Sequence, residues 1–171
     1  MLRKIQQYFG LVLYVSFVFM GCKVNYSFTG TSIPENVKTV SVKTFQNFAP
    51  LTNVNLTQTF TEALKDKFIS QTNLNLVSAD GDLQFEGAIT GYNVTSVAIQ
   101  GNETAALNRL SVTVKVTFTN TKDEKQDFES SFTRYADFES SQNLSSVEDE
   151  LLLDINDQLT QDIFNKAVSN W

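Results

Sequence analysis

Leu110, Val112, Val114, Val116 and Phe118 alternate without exception with Ser111, Thr113, Lys115, Thr117 and Thr119. A strict period of two over ten residues fits an extended strand with one buried face. The Ser/Thr/Lys phase is left for water or a partner. Turn residues bound the strand at Gly101-Asn102 and at Asn120 to Lys125 (NTKDEK). Before it, Leu83, Phe85 and Ile89 hold one phase of a strand and Tyr92 and Val94 the other, a change beside Gly87 and Gly91 that predicts a bulge or bend. After it, Phe128, Phe132 and Phe138 mark a returning strand, with Arg134 in the same phase, either re-aimed by a bulge or paired near the sheet's end. Three long strands joined by short turns predict an antiparallel meander whose apolar face must be covered.

Two helices are available to cover it. Leu56, Phe60, Ala63, Leu64 and Phe68 recur at helical spacing between Asn53 and Ser70, with Thr52 or Asn53 as N-cap. Val147, Leu151, Ile155, Leu159 and Ile163 recur every four residues behind a Ser145/Glu148 capping box. Glu148, Asp149 and Glu150 fall in that helix's first turn, where the dipole favours negative charge. Val37 to Phe45 reads as a first strand and Leu74 to Val77 as a short one. The expected class is therefore α+β, a small mixed or antiparallel sheet of about four strands covered by two helices in the order β-α-β-β-β-α.

The front of the chain has a different character. Arg3 and Lys4 precede an apolar run from Tyr8 to Met20, which stops at Gly21-Cys22. Basic residues, an apolar stretch and small residues at the cut are the order of a secretory signal, and the run is short of the roughly 20 residues a spanning helix needs. The chain's one cysteine stands where a bacterial lipoprotein signal places the thiol that is diacylated before cleavage. Phe19 and Met20 depart from the commonest lipobox residues. A lone cysteine in an exported chain has no internal disulfide partner, and acylation removes the exposed thiol. The domain reading is a lipoprotein signal peptide over 1–21, a lipidated tether over 22–36 and a single α/β domain over 37–171. An ordinary signal peptide or an uncleaved anchor is the alternative.

Without Arg3 and Lys4, residues 22–171 carry 11 basic and 19 acidic side chains, a formal charge of −8. That balance, with no cluster of Lys and Arg, argues against a nucleic-acid partner. The chain has no histidine. With Cys22 committed, His- or thiolate-based metal sites and Ser-His or Cys-His nucleophiles are excluded. Carboxylate chemistry alone survives, and the helix dipole already accounts for the Glu148–Glu150 run, which also lacks an EF-hand pattern. No enzyme, cofactor or metal is expected. Five Asn-x-Ser/Thr triplets begin at Asn25, Asn55, Asn93, Asn102 and Asn143, and they read as a chain rich in these residues rather than as glycan acceptors.

Several local patterns then occur in a fixed order: Thr61-Glu62-Ala63-Leu64-Lys65-Asp66-Lys67-Phe68, Gly87-x-Ile89-x-x-Tyr92, Asn108-Arg109-Leu110, Phe132-x-x-Tyr135-x-Asp137-Phe138 and Asp162-Ile163-Phe164-Asn165-x-Ala167-x-x-Asn170-Trp171. Behind the lipobox-like start, this set resembles the LptE family of lipopolysaccharide-assembly lipoproteins as found in Bacteroidota. The resemblance implies a small α/β domain, without catalytic residues, that plugs or braces the β-barrel LptD in the outer membrane and assists delivery of lipopolysaccharide to the outer leaflet. It implies the outer membrane as location, periplasmic side or barrel lumen, with a lipid on Cys22 and no other cofactor. Arg109 and Lys115 share the outer phase of the central strand and are the residues that would meet lipopolysaccharide phosphates. Their plainer reading is two solvated strand residues. The rival function is a generic outer-membrane lipoprotein that binds a glycan, peptidoglycan or another exported protein.

Overall fold

The computed structural model describes residues 33–50, 52–97 and 106–168. The leader, Cys22, most of the tether, the Gly101-Asn102 turn and Trp171 lie outside the described residues. In chain order the elements are β1 (Thr39–Val42), β2 (Gln46–Asn47), α1 (Leu56–Gln71), β3 (Asn75–Val77), β4 (Leu83–Val97), β5 (Leu107–Asn120), a short 3-10 turn (Glu124–Gln126), β6 (Phe128–Glu139) and α2 (Leu144–Val168).

The strands form one mixed sheet in the order β3-β1-β4-β5-β6, and β2 lies against β4 where β1 has ended. β1 runs parallel to both β3 and β4, while β4, β5 and β6 make an antiparallel meander. The α+β class with two covering helices is as expected, and the sheet is larger than the expected four strands. β2 is the strand the pattern hid, because two residues carry no periodicity. It continues the line of β1 after a bend at Lys43–Phe45 and pairs with Ala88 and Ile89.

β5 realises its alternation. Leu110, Val112, Val114, Val116 and Phe118 are at most 1% exposed beneath the helices, and the intervening polar residues stand on the uncovered face. The change of phase in β4 has the expected cause, a register shift between Ile89 and Gly91 that leaves Thr90 as an extra residue opposite Thr113. One inserted residue turns Tyr92 to the covered side already occupied by Leu83, Phe85 and Ile89.

Phenylalanines tie the layers together. Phe164 of α2 meets Phe68 of α1 at 5.1 Å between ring centroids, Phe68 meets Phe85 at 4.7 Å, Phe85 meets Phe118 at 4.8 Å, and Phe118 meets Phe128 at 5.1 Å. The series crosses from both helices through three strands. Each such pair adds about 0.5–1.5 kcal/mol beyond the area it buries.

Both helix starts differ from expectation. The N-cap position of α1 is Asn55, not Thr52 or Asn53, and its side chain makes no capping bond; the Asn53 carboxamide instead accepts from the Asn55 N–H and folds the approach to the helix. α2 begins at Leu144, so Ser145 lies inside it, no Ser145/Glu148 box forms, and Glu148, Asp149 and Glu150 follow the first turn instead of occupying it. Glu148 points toward the sheet and accepts a hydrogen bond from the Tyr92 hydroxyl, and burial together with this bond pushes the Tyr92 pKa well above its ordinary value. Arg134 is neither re-aimed nor at the sheet's end. It stays in the inner phase of the edge strand β6 and reaches sideways to Asp162 of α2 through two bonds of 2.6 and 2.7 Å.

Asp82 closes the opposite end of the sheet. Its carboxylate accepts the Lys38 and Thr39 N–H groups at 2.8 and 3.0 Å and the Lys122 ammonium at 2.8 Å, while its carbonyl accepts the Thr121 N–H. One side chain thus joins the start of β1, the start of β4 and the β5–β6 turn. Lys122 first, then the Lys38 amide, hold the carboxyl far below the usual carboxylate range. Because the folded pKa is depressed, the contribution is complete above the unfolded value near 4 and is lost as acid protonates the group. Asp82→Ala is expected to cost about 2–3 kcal/mol at neutral pH. Urea titrations at pH 7 and pH 3 should show the gap between variant and wild type narrowing in acid, and an equal gap at both would contradict the role.

Candidate functional site

The uncovered face of the meander is built by the polar phases of its three strands. β5 presents Arg109, Ser111, Thr113, Lys115 and Thr117, and its register sets Arg109 opposite Asp137, Thr113 opposite Thr133 and Thr117 opposite Glu129. The Thr113 and Thr133 hydroxyls lie 2.9 Å apart, each half of a cross-strand hydrogen bond. Neither helix covers this face. It is half-exposed along its centre and hydroxyl-rich.

The two cations expected to receive phosphates are both engaged. The Arg109 guanidinium donates to the two Asp137 oxygens at 2.7 and 2.8 Å and lies 3.6 Å from the centre of the Tyr135 ring. Its hydrogen bonds, with its charge adding to them, hold the Asp137 carboxyl below the ordinary carboxylate value. Lys115 pairs with Glu129 at 2.5 Å. Arg109 and Lys115 are six residue steps apart along the strand, about 20 Å, so the structure does not bring them together on one small ligand. An incoming phosphate at either position has to compete with a carboxylate already in place.

Charge balance recurs over the described residues. Lys43 pairs with Glu86, Lys65 with Glu62, Lys67 with Asp157, Lys122 with Asp82 and Arg134 with Asp162. Exposed pairs of this kind contribute at most about 1 kcal/mol each. Their consequence is electrical: among the described residues no broad basic surface is left. Among the described residues there is no group of three or more His, Cys, Asp or Glu side chains placed to hold a metal ion, and no helix long and apolar enough to cross a membrane.

Sequence reasoning singled out the outer phase and the two cations but not their partners. Tyr135 and Asp137 already stood in the Phe132-x-x-Tyr135-x-Asp137-Phe138 pattern, yet only the β5–β6 register reveals that they flank Arg109. Phe48 was missed entirely. It is 70% exposed on the loop after β2, and an isolated aromatic carries no periodicity by which to find it.

Comparison with known proteins follows the same architecture. The family model described as LptE, lipopolysaccharide-assembly, matches residues 37–167. Among solved structures, the uncharacterized lipoprotein B from Nitrosomonas europaea is similar at a TM-score of 0.50 and 16% identity, covering 88% of this chain and 92% of that one. A minor lipoprotein from Acinetobacter baumannii is similar at 0.46 and 15% identity, covering 79% and 95%. Protein XCC0632 from Xanthomonas campestris is similar at 0.48 and 9% identity, covering 77% and 85%. At 16% identity the likeness to the Nitrosomonas europaea protein is one of fold alone. No curated protein matches the chain in sequence.

Proposed function

Since the chain belongs to the LptE family of lipopolysaccharide-assembly proteins, we propose that it is an outer-membrane lipoprotein, anchored through Cys22, that braces an LptD-type β-barrel during lipopolysaccharide insertion into the outer leaflet. Residues 1–21 are the leader removed on export, 22–36 the tether and 37–171 the working domain. Its role is non-catalytic: it supplies a rigid surface to the barrel.

The observation that carries the reading is the family match over nearly all of the working domain. The uncovered face of the meander supports it. A barrel lumen is polar and wet, and a sheet lined with threonine hydroxyls and internally balanced charges packs there without burying an unpaired ion. The Arg109–Asp137 pair then acts as a fixed dipolar contact. Direct phosphate binding at Arg109 or Lys115 requires their carboxylates to be displaced.

The test is capture of the tagged, lipidated protein from crosslinked outer membranes. The expected partner is a large, heat-modifiable barrel. Recovery of peptidoglycan without any barrel would replace the assembly role with the generic lipoprotein role. In the same cells Cys22→Ser is expected to remain as uncleaved precursor or to appear in the soluble fraction, because stable anchoring needs two acyl signals. A variant that fractionates and migrates like wild type would remove the anchor.

A further inference from the structure

On the uncovered face, where β2 meets β4, an open concavity of about 340 Å³ lies between the β2 loop and the start of β6. We propose that it is a subsite for an uncharged sugar ring of a glycan. The proposal rests on the transport role, since lipopolysaccharide delivered through a barrel carries such rings past this face.

Its floor is made of small residues, Gly87, Ala88 and Thr117, and the exposed ring of Phe48 stands on one side. The loop that carries Phe48 is braced. The Phe48 N–H donates to the Ile89 carbonyl at 2.9 Å, the Ala49 N–H donates to the Asn47 carboxamide oxygen at 3.0 Å, and the Asn47 amide donates to the Thr52 hydroxyl. An apolar ring held in water on a fixed loop leaves its burial energy unused until a ligand covers it.

The rim selects the chemistry. It holds the Lys43–Glu86 and Lys115–Glu129 pairs, at 2.7 and 2.5 Å, two positive and two negative charges. A phosphate entering there meets both carboxylates. A hydroxyl needs no displacement, because one O–H can accept from an ammonium and donate to a neighbouring carboxylate. A pyranose presents such hydroxyls around its edge and a C–H face that packs against the negative face of an aromatic ring. Extended peptide fits less well, since β4 is already paired on both sides here, by β2 and by β5, and offers no free backbone. The volume lies at the small end of the 300–1,000 Å³ range of ligand pockets.

The test uses the full-length lipidated protein in detergent micelles and ligand-observed saturation-transfer NMR. One probe is the polysaccharide released by mild acid from lipopolysaccharide of the same membranes and then dephosphorylated; the other is soluble muropeptides from peptidoglycan. Saturation is expected on sugar-ring protons of the polysaccharide, at least fivefold weaker with Phe48→Ala and unchanged with Leu153→Ala on the far side of α2. The same Phe48 dependence with muropeptides alone would support the sugar subsite and assign its source to peptidoglycan. Absence of transfer from both probes, transfer that requires phosphate, or insensitivity to Phe48→Ala would overturn it. Failure here with barrel capture intact removes only the subsite, whereas loss of barrel capture by the wild-type protein removes the assembly role itself.

Discussion

Gly87→Ala is expected to prevent the domain from folding. A Cβ built at Gly87 would lie 2.1 Å from the Lys115 carbonyl oxygen and 2.7 Å from Cε1 of the Phe45 ring. The first contact is with backbone at the centre of the β4–β5 ladder, where Gly87 faces Val116. That backbone is fixed on its other side by β6, which pairs Lys115 with Ser131 and Val116 with Ser130. Relief therefore means opening the sheet, not turning a side chain. Ordinary overpacking costs about 1–3 kcal/mol, and a clash with immovable backbone exceeds that, approaching the whole stability of a domain this size at roughly 5 kcal/mol or more. Circular dichroism and a thermal melt of the variant should show no cooperative transition. A melt like that of wild type would mean that β4 and β5 are not packed as described.

Phe68→Ala should be the most costly single truncation in the core. The ring is fully buried, and it touches both the Phe85 ring on the sheet and the Phe164 ring on α2. Its removal leaves a cavity where three layers meet and none can collapse independently. The expected loss is about 3–5 kcal/mol, or about 10–15 °C in midpoint. A shift of only a degree or two would place Phe68 at the margin of the core.

What could be read before the structure follows from how local each signal is. The β5 phase, the two helical stripes and the β4 bulge depend on spacing along one strand or helix, and all four were legible. Gly87 and Gly91 looked equivalent, yet only Gly91 borders the bulge, while Gly87 serves the close approach of β5. That distinction needs the neighbouring strand. The same limit explains the helix starts: Glu148 answers Tyr92, 56 residues away in sequence, and so abandons the local capping partner. It explains the candidate site as well. Arg109 and Lys115 were placed on the correct face from β5 alone, but Asp137 and Glu129, which neutralise them, come from β6. The β2 strand, being two residues long, and Phe48, being isolated, carried no pattern at all.

Site-resolved photo-crosslinking in living cells tests most directly whether the uncovered sheet face meets a barrel wall. Thr113 and Thr133 lie at the middle of that face, and Leu153 is exposed on α2 away from it. With a photoreactive amino acid at each position, Thr113 and Thr133 are predicted to yield an adduct with a large LptD-type outer-membrane barrel at higher yield than Leu153. Folded, lipidated protein that forms no such adduct from Thr113 or Thr133 would contradict the account.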